Sequence, residues 1–464
     1  MSGELDTRNP KLETARVTLK PKRAQPFFAR HPWVFAGAIE HVDGQPVDGA
    51  EVDLHSSAGN WIARGLFNSQ SKIRVRLYSW ESGRVLDRDF FRERLERAVR
   101  LRDALGVRGP GRGCRLVFSE ADGLSGCTID EYAGWLTVQF TALGIAQRRE
   151  LLADVLNEVV KPRGIYVRTE KGVGTLEGLE LHDGLLAGDP PPADLAIEEH
   201  GVSFLVNIAE GQKTGFYHDQ RDNRLVAARL APGRRVLDAF CYTGGFGLHA
   251  AKAGAASIEC VDVSEPALAL GRRNADRNGL GQVTFTRADV FKFLDAQVKA
   301  GEKYGLVILD PPKFARSRGS IPEALRGYRQ LLKQAVKLAE PGGFVVFCCC
   351  SGLITAHMLT ELVAQVGGEE RRDVQILERR GAAPDHETGS AAAAWRAGSP
   401  TSLPQRFLNA STPPCAHSSS WSAVTPLTPT PPTWEQSHQR GIGSVPWSRC
   451  GQCDRDHRNP MLRF

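Results

Sequence analysis

No apolar run in this chain reaches the roughly 18 residues that a membrane-spanning helix needs. The first stretch, MSGELDTRNPKLETARV, is charged and lacks the apolar core of a signal peptide, so a cytoplasmic protein is expected. Cysteine is sparse: ten thiols in irregular positions are too few for a disulfide framework, and reduced thiols in a reducing compartment fit best. Neither sign of charge dominates, since 59 Lys and Arg against 53 Asp and Glu leave +6, which permits a nucleic-acid partner without demanding one. No metal is expected. Cys348, Cys349 and Cys350 are consecutive and alternate between strand faces, so they cannot form one cage. The Cys450 and Cys453 pair with His457 is a single CxxC, which is a weak metal signal.

What is present is a soluble composition, 41% hydrophobic and 24% charged, over 464 residues, enough for two or three domains. Residues 14–86 read as short strands separated by Gly, Pro, Asn and Asp, which predicts a small β-barrel. A helix is predicted from Asp87 to Leu105, with Phe91, Leu95 and Val99 on one face, opening a middle α/β domain over 87–190. Its arginines, RERLERAVRLR at 92–102, read as a solvated helix face before an RNA footprint. After the proline-rich hinge GDPPPADL, residues 196–386 alternate strands and helices, predicting a doubly wound, Rossmann-like parallel sheet. The tail, 387–464, holds ten of 27 prolines and four of eight tryptophans but no lysine. It is expected to be disordered, or an out-of-frame translation, and to supply no strand.

Three segments of the third domain carry chemistry. In VLDAFCYTGGFG, Asp238 ends a strand, and Gly244 and Gly245 clear the following turn for a ligand, with Phe240 and Tyr242 interleaved. The spacing is not GxGxxG, which disfavours a pyrophosphate cradle. Asp262 and Asp289 follow the next two strands, where the first can take ribose hydroxyls and the second an adenine amine. S-adenosylmethionine therefore fits better than NAD. In VILDPPKF, Asp310 stands before Pro311 and Pro312, which offer carbonyls but no N–H, so this loop suits a planar base with an amino edge. Lys313 can meet a phosphate and Phe314 can stack on the base. In FVVFCCCSG, Cys350 is nearest the strand exit and is the expected nucleophile, with Cys348 and Cys349 as packing residues. The polar stretch GQKTGFYHDQRDNR adds Lys213 and Gln220 for the cofactor and Arg221 for the substrate, and Asp219 could cap a helix starting at Gln220.

At these motifs, together with RHPWVFAGAI, LVFSEADGLSG, CSGL and GAAPDH, the chain resembles the bacterial 23S ribosomal RNA 5-methylcytosine methyltransferases of the RlmI type, from about Ala15 to His386. The resemblance implies that the barrel is an RNA-binding PUA domain and the third domain a class I methyltransferase. It also places the family's motif cysteine at Cys350. Implied partners are large-subunit ribosomal RNA, unassembled or partly assembled, and no membrane; a homodimer is open. Two alternatives stand beside 5-methylcytosine formation. One is a guanine-N2 methyltransferase of the same architecture, which needs Asp310 but no thiol; the other is a catalytically inert RNA-binding assembly factor.

Overall fold

The computed structural model describes residues 14–169, 172–209, 211 and 214–386, and the backbone of strands at 420–426 and 462–463. Apart from those two strands the tail lies outside the described residues, as do Lys213 and the Cys450, Cys453 and His457 group. The chain packs as two units, Met1–Arg221 with Ala383–His417, and Asp222–Ala382 with Ser418–Phe464.

The first unit contains two main sheets. Strands β1 (Ala15–Leu19), β2 (Trp33–Phe35), β3 (Ile39–Asp43), β4 (Glu51–His55), β5 (Trp61–Phe67) and β6 (Ile73–Ser79) form one sheet in the order β2-β6-β5-β4-β1-β3. Alternation drives it: along β4, Val52 and Leu54 are buried while their neighbours are half-buried. The second sheet comprises β7 (Gly113–Phe118), β8 (Cys127–Tyr132), β9 (Trp135–Phe140), β10 (Gly164–Arg168) and β11 (Gly184–Gly188). The helix Arg88–Ala104 packs against it through Phe90, Phe91, Leu95 and Ala98. Asp87 caps that helix by accepting a bond from Phe90 N at 2.9 Å. Along its arginine face Arg92 pairs with Asp89 and Arg100 with Glu96 at the surface, while Arg102 is buried against Asp122. A hairpin of β12 (Ala196–Glu199) and β13 (Val202–Leu205) follows. Beyond it the 3-10 turn His218–Gln220, which contains Asp219, leads into the helix Arg221–Ala228.

The second unit is built on one sheet. Its strands are β14 (Arg235–Ala239), β15 (Ser257–Asp262), β16 (Val283–Arg287), β17 (Tyr304–Leu309), β18 (Ala339–Cys349), β19 (Val374–Arg380), β20 (Ser420–Pro426) and β21 (Leu462–Arg463). The order is β16-β15-β14-β17-β18-β20-β19-β21, with β14 to β18 mutually parallel as the βαβ rhythm predicts. From β14 the chain winds outward through β15 and β16, then returns to the other side at β17. The crevice between β14 and β17 is therefore the topological switch point, where doubly wound sheets bind ligands. Strand β20 departs from the expectation for the tail: it inserts antiparallel between β18 and β19 and pairs with both. An exposed ladder on β18 is a strong template for any extended segment, whatever the composition around it. The core lies between this sheet and the helix Ile321–Leu338, whose Ala324, Tyr328, Leu331, Leu332 and Ala335 form one buried stripe.

Candidate active site

Strand β14 delivers Asp238 to the carboxyl end of the sheet, fully buried. Its Oδ2 accepts a bond from Gly247 N at 2.8 Å, while Oδ1 is buried with no hydrogen-bond partner. Burial pushes this carboxyl up to about 7; Asp310 and Asp262 add to the rise, and the Gly247 bond and Arg224 oppose it. The turn after it is strained. Phe240 and Tyr242, neither a glycine, have φ of 64° and 52°, and Gly244 follows at 81°. At Gly247 a Cβ would come within 2.5 Å of Cys260 Sγ and 3.2 Å of Asp238 Oδ2, so the helix that starts at Gly245 can approach the strand only without that side chain.

Asp262 at the end of β15 is held from two sides. Tyr242 N donates to Oδ2 at 3.0 Å and Ser264 N donates to Oδ1 at 2.9 Å. A carboxylate has about four acceptor positions, so this fixes its orientation and leaves capacity for a diol. Val263, the next residue, is 66% exposed, an apolar side chain at the site that sequence reasoning missed. Its signal was its place directly after a strand-end acid. Asp289 accepts a bond from Lys292 N at 3.0 Å and caps the helix Val290–Ala300, a structural task beside the expected one.

Strands β17 and β18 bring the other two segments together. Asp310 N donates to the carbonyl of Ala239 at 3.3 Å, which ties its loop to the end of β14. Cys350, half-buried and just past the end of β18, lies with its Sγ 3.6 Å from the carbonyl oxygen of Pro311. Ser351 Oγ donates to the carbonyl of Ala315 at 3.0 Å, a second tie between the segments. Cys348 and Cys349 are fully buried, and burial pushes the Cys349 thiol up. Phe314 stacks on Tyr328 at 4.7 Å between ring centroids, and Phe291 lies 6.2 Å away on the same cluster. Pro311 is buried, whereas Pro312 is exposed and Lys313 half-exposed.

Gln220 and Arg221 belong to the first unit. Gln220 is buried in its 3-10 turn. The Arg221 guanidinium pairs with Asp385, Nη2 to Oδ1 at 2.6 Å, and donates to the carbonyl of Gly113 at 3.3 Å. Burial raises the Asp385 carboxyl, but His386 and Arg221 prevail and hold it below the carboxylate range. Nearby, His218 is buried between Tyr132 and Phe216, with neither ring nitrogen hydrogen-bonded.

An adenosyl donor fits the second unit's residues. A buried acid with an orphan oxygen, an oriented acid at the next strand end, an exposed valine beside it and a turn closed to a Cβ all meet at the switch point. These features define a Rossmann-like methyltransferase. The S-adenosylmethionine-dependent methyltransferase family matches residues 183–398, and a PUA-like domain matches 17–80. The ribosomal RNA large subunit methyltransferase I of Shewanella amazonensis is 44% identical over 379 residues, 81% of this chain and 96% of that protein. That of Photobacterium profundum is 41% identical over 381 residues, 82% and 96% respectively. A methyltransferase from Streptococcus mutans superposes with a TM-score of 0.70 at 19% identity, covering 88% of this chain and 99% of its own, which shows the shared fold. The chain belongs to the ribosomal RNA large subunit methyltransferase I family.

Proposed function

We propose that the chain transfers a methyl group to carbon 5 of a cytosine in large-subunit ribosomal RNA, acting on free or partly assembled RNA in the cytoplasm. The observation that carries this reading is the half-buried Cys350 thiol, 3.6 Å from the Pro311 carbonyl and adjoining Asp310. Carbon 5 of cytosine is a weak nucleophile until a group adds to carbon 6. In this reading the Cys350 sulfur forms a bond to carbon 6, and the electron pair of the former double bond becomes available at carbon 5. After methylation, carbon 5 loses its proton and the thiolate leaves, which restores the ring and the free cysteine. Asp310 accepts from the exocyclic amine, and the Pro311 and Pro312 carbonyls face the same edge. The base must leave its stack to reach such a site.

Asp238, Asp262 and Asp289, with the turn from Phe240 to Gly245, hold the donor, and Lys213 and Gln220 are proposed to complete its site. When bound, S-adenosylmethionine supplies an electrophilic methyl group on a sulfonium. Phe314 and Lys313 support the base loop, Phe314 through its Tyr328 stack, and Arg221 is the proposed substrate contact in the first unit. The proposed domain limits remain 14–86, 87–190 and 196–386.

RNA carrying 5-fluorocytidine tests the chemistry, because fluorine cannot leave as a proton does. The reading predicts a covalent protein–RNA product that maps to Cys350. Methyl transfer to rRNA with no such adduct would overturn it and favour the guanine reading.

A further inference from the structure

The loop that follows Asp310 carries two arginines, Arg316 and Arg318, that the reaction leaves unused. No acid occurs between Asp310 and Glu323, while Lys313, Arg316 and Arg318 all fall in that interval. The apolar members of the loop turn inward: Phe314 stacks on Tyr328, Ala315 is fully buried, and the Ala315 carbonyl accepts the Ser351 hydroxyl at 3.0 Å. With those two anchored, Arg316 and Arg318 are left exposed. The turn that presents them is preformed. Arg316 N and Ser317 N both donate to Ser320 Oγ at 3.1 Å, and that hydroxyl donates to the Ser317 carbonyl at 2.9 Å.

Some surface cations of the same unit are paired with acids. Arg272 pairs with Glu265, Arg329 with Glu369, and Lys333 with Glu369 and Glu370. Among the described residues, Lys313, Arg316 and Arg318 enter no ion pair. Loose surface charge of this kind has low worth for folding. A fixed turn of cations, tied at Ala315 to Ser351, the residue next to Cys350, suits a polyanion passing over the site.

We infer that the 313–318 turn is a phosphate clamp, with Arg316 and Arg318 gripping the RNA backbone beside the target nucleotide. It rests on the proposed reading that the substrate is RNA. Phosphate contacts of this kind position a strand without reading its bases. The immobilised turn lowers the entropy lost when the strand docks.

The test is the salt dependence of binding to an unmodified large-subunit rRNA transcript, for wild type, R316Q/R318Q and R316K/R318K full-length protein. Each phosphate contact contributes roughly 0.7–0.9 to the slope of log K against log salt. Removing two makes the R316Q/R318Q slope shallower by about 1.5, so the affinity advantage of wild type shrinks by roughly eightfold as salt rises from about 50 to about 200 mM. The lysine variant restores most of the slope. Unchanged S-adenosylhomocysteine affinity in both variants verifies that the unit is folded. Equal slopes for R316Q/R318Q and wild type would overturn the clamp. Wild-type protein that binds the transcript with the full slope yet transfers no methyl group would overturn the proposed function and leave the clamp standing.

Discussion

The Cys350 sulfur lies 3.6 Å from the carbonyl oxygen of Pro311, so the ends of β17 and β18 present a thiol and a proton-free, carbonyl-rich loop to one another. Two consecutive prolines remove the backbone donors that would otherwise repel an amino group or a protonated ring nitrogen. Ser351, one residue on, ties to Ala315 by a second bond, so the pairing of the two loops does not rest on the thiol alone.

Gly247 is the position where the glycine turn tolerates least. A Cβ there would press on Cys260 Sγ at 2.5 Å and on the carboxylate that Gly247 N itself supports. Gly247→Ala is expected to lower stability by about 1–3 kcal/mol in urea denaturation. It should also weaken S-adenosylhomocysteine binding, measured by calorimetry, by more than tenfold. Gly368→Ala, in the helix Ala356–Glu370 with open space around its Cβ and no positive φ, serves as the control for a helical Gly→Ala change without a clash.

Asp238 sets a pH dependence in the donor site. Its carboxyl is pushed up to about 7 by burial, so it is protonated in the empty site under mildly acidic conditions. A raised folded-state value contributes stability that is full below the unfolded value near 3.8 and is lost as pH rises through 7. The cationic donor favours the ionised form. S-adenosylmethionine affinity should therefore tighten as pH rises toward 7, approaching tenfold per unit below it. A dissociation constant flat from pH 5.5 to 7.5, values chosen to bracket about 7, would remove Asp238 from that role.

His218 acts in the opposite sense, in the first unit. Burial lowers it to about 4 from 6.5, against the pull of Asp130 and Asp385, and it packs neutral between two aromatic rings. The unfolded chain binds the proton first as pH falls, so stability present above 6.5 drains away down to about 4, by up to ~3 kcal/mol. His31, also lowered to about 4, adds to the same window. His218→Phe should remove the His218 share of the loss in urea midpoint between those limits, leaving that of His31 opposed by the rise from Asp238.

Much of the site was legible because strand ends are legible. Asp238, Asp262 and Asp310 each close a run of apolar residues, and Cys350 stands where the last parallel strand runs out. What periodicity could not carry is three-dimensional. The left-handed backbone at Phe240 and Tyr242 follows from the crossing of strand and helix, not from either residue's preference. Tyr328 is one member of a helix stripe by pattern; only packing shows that it seats Phe314. Strand β20 was hidden because its partners, β18 and β19, precede it by dozens of residues and its own flanks are rich in proline. His218 gave no signal, since burial without a hydrogen-bond partner has no local sequence pattern.

The most direct measurement is transfer of labelled methyl from S-adenosylmethionine to unmodified large-subunit rRNA, followed by nucleoside mass spectrometry. Wild type should place the label in 5-methylcytidine. Cys350→Ala should lower that transfer by a factor on the order of 10³ or more, while Cys348→Ala and Cys349→Ala keep the same product. Label in methylguanosine, or 5-methylcytidine formed at an undiminished rate by Cys350→Ala, would contradict the account.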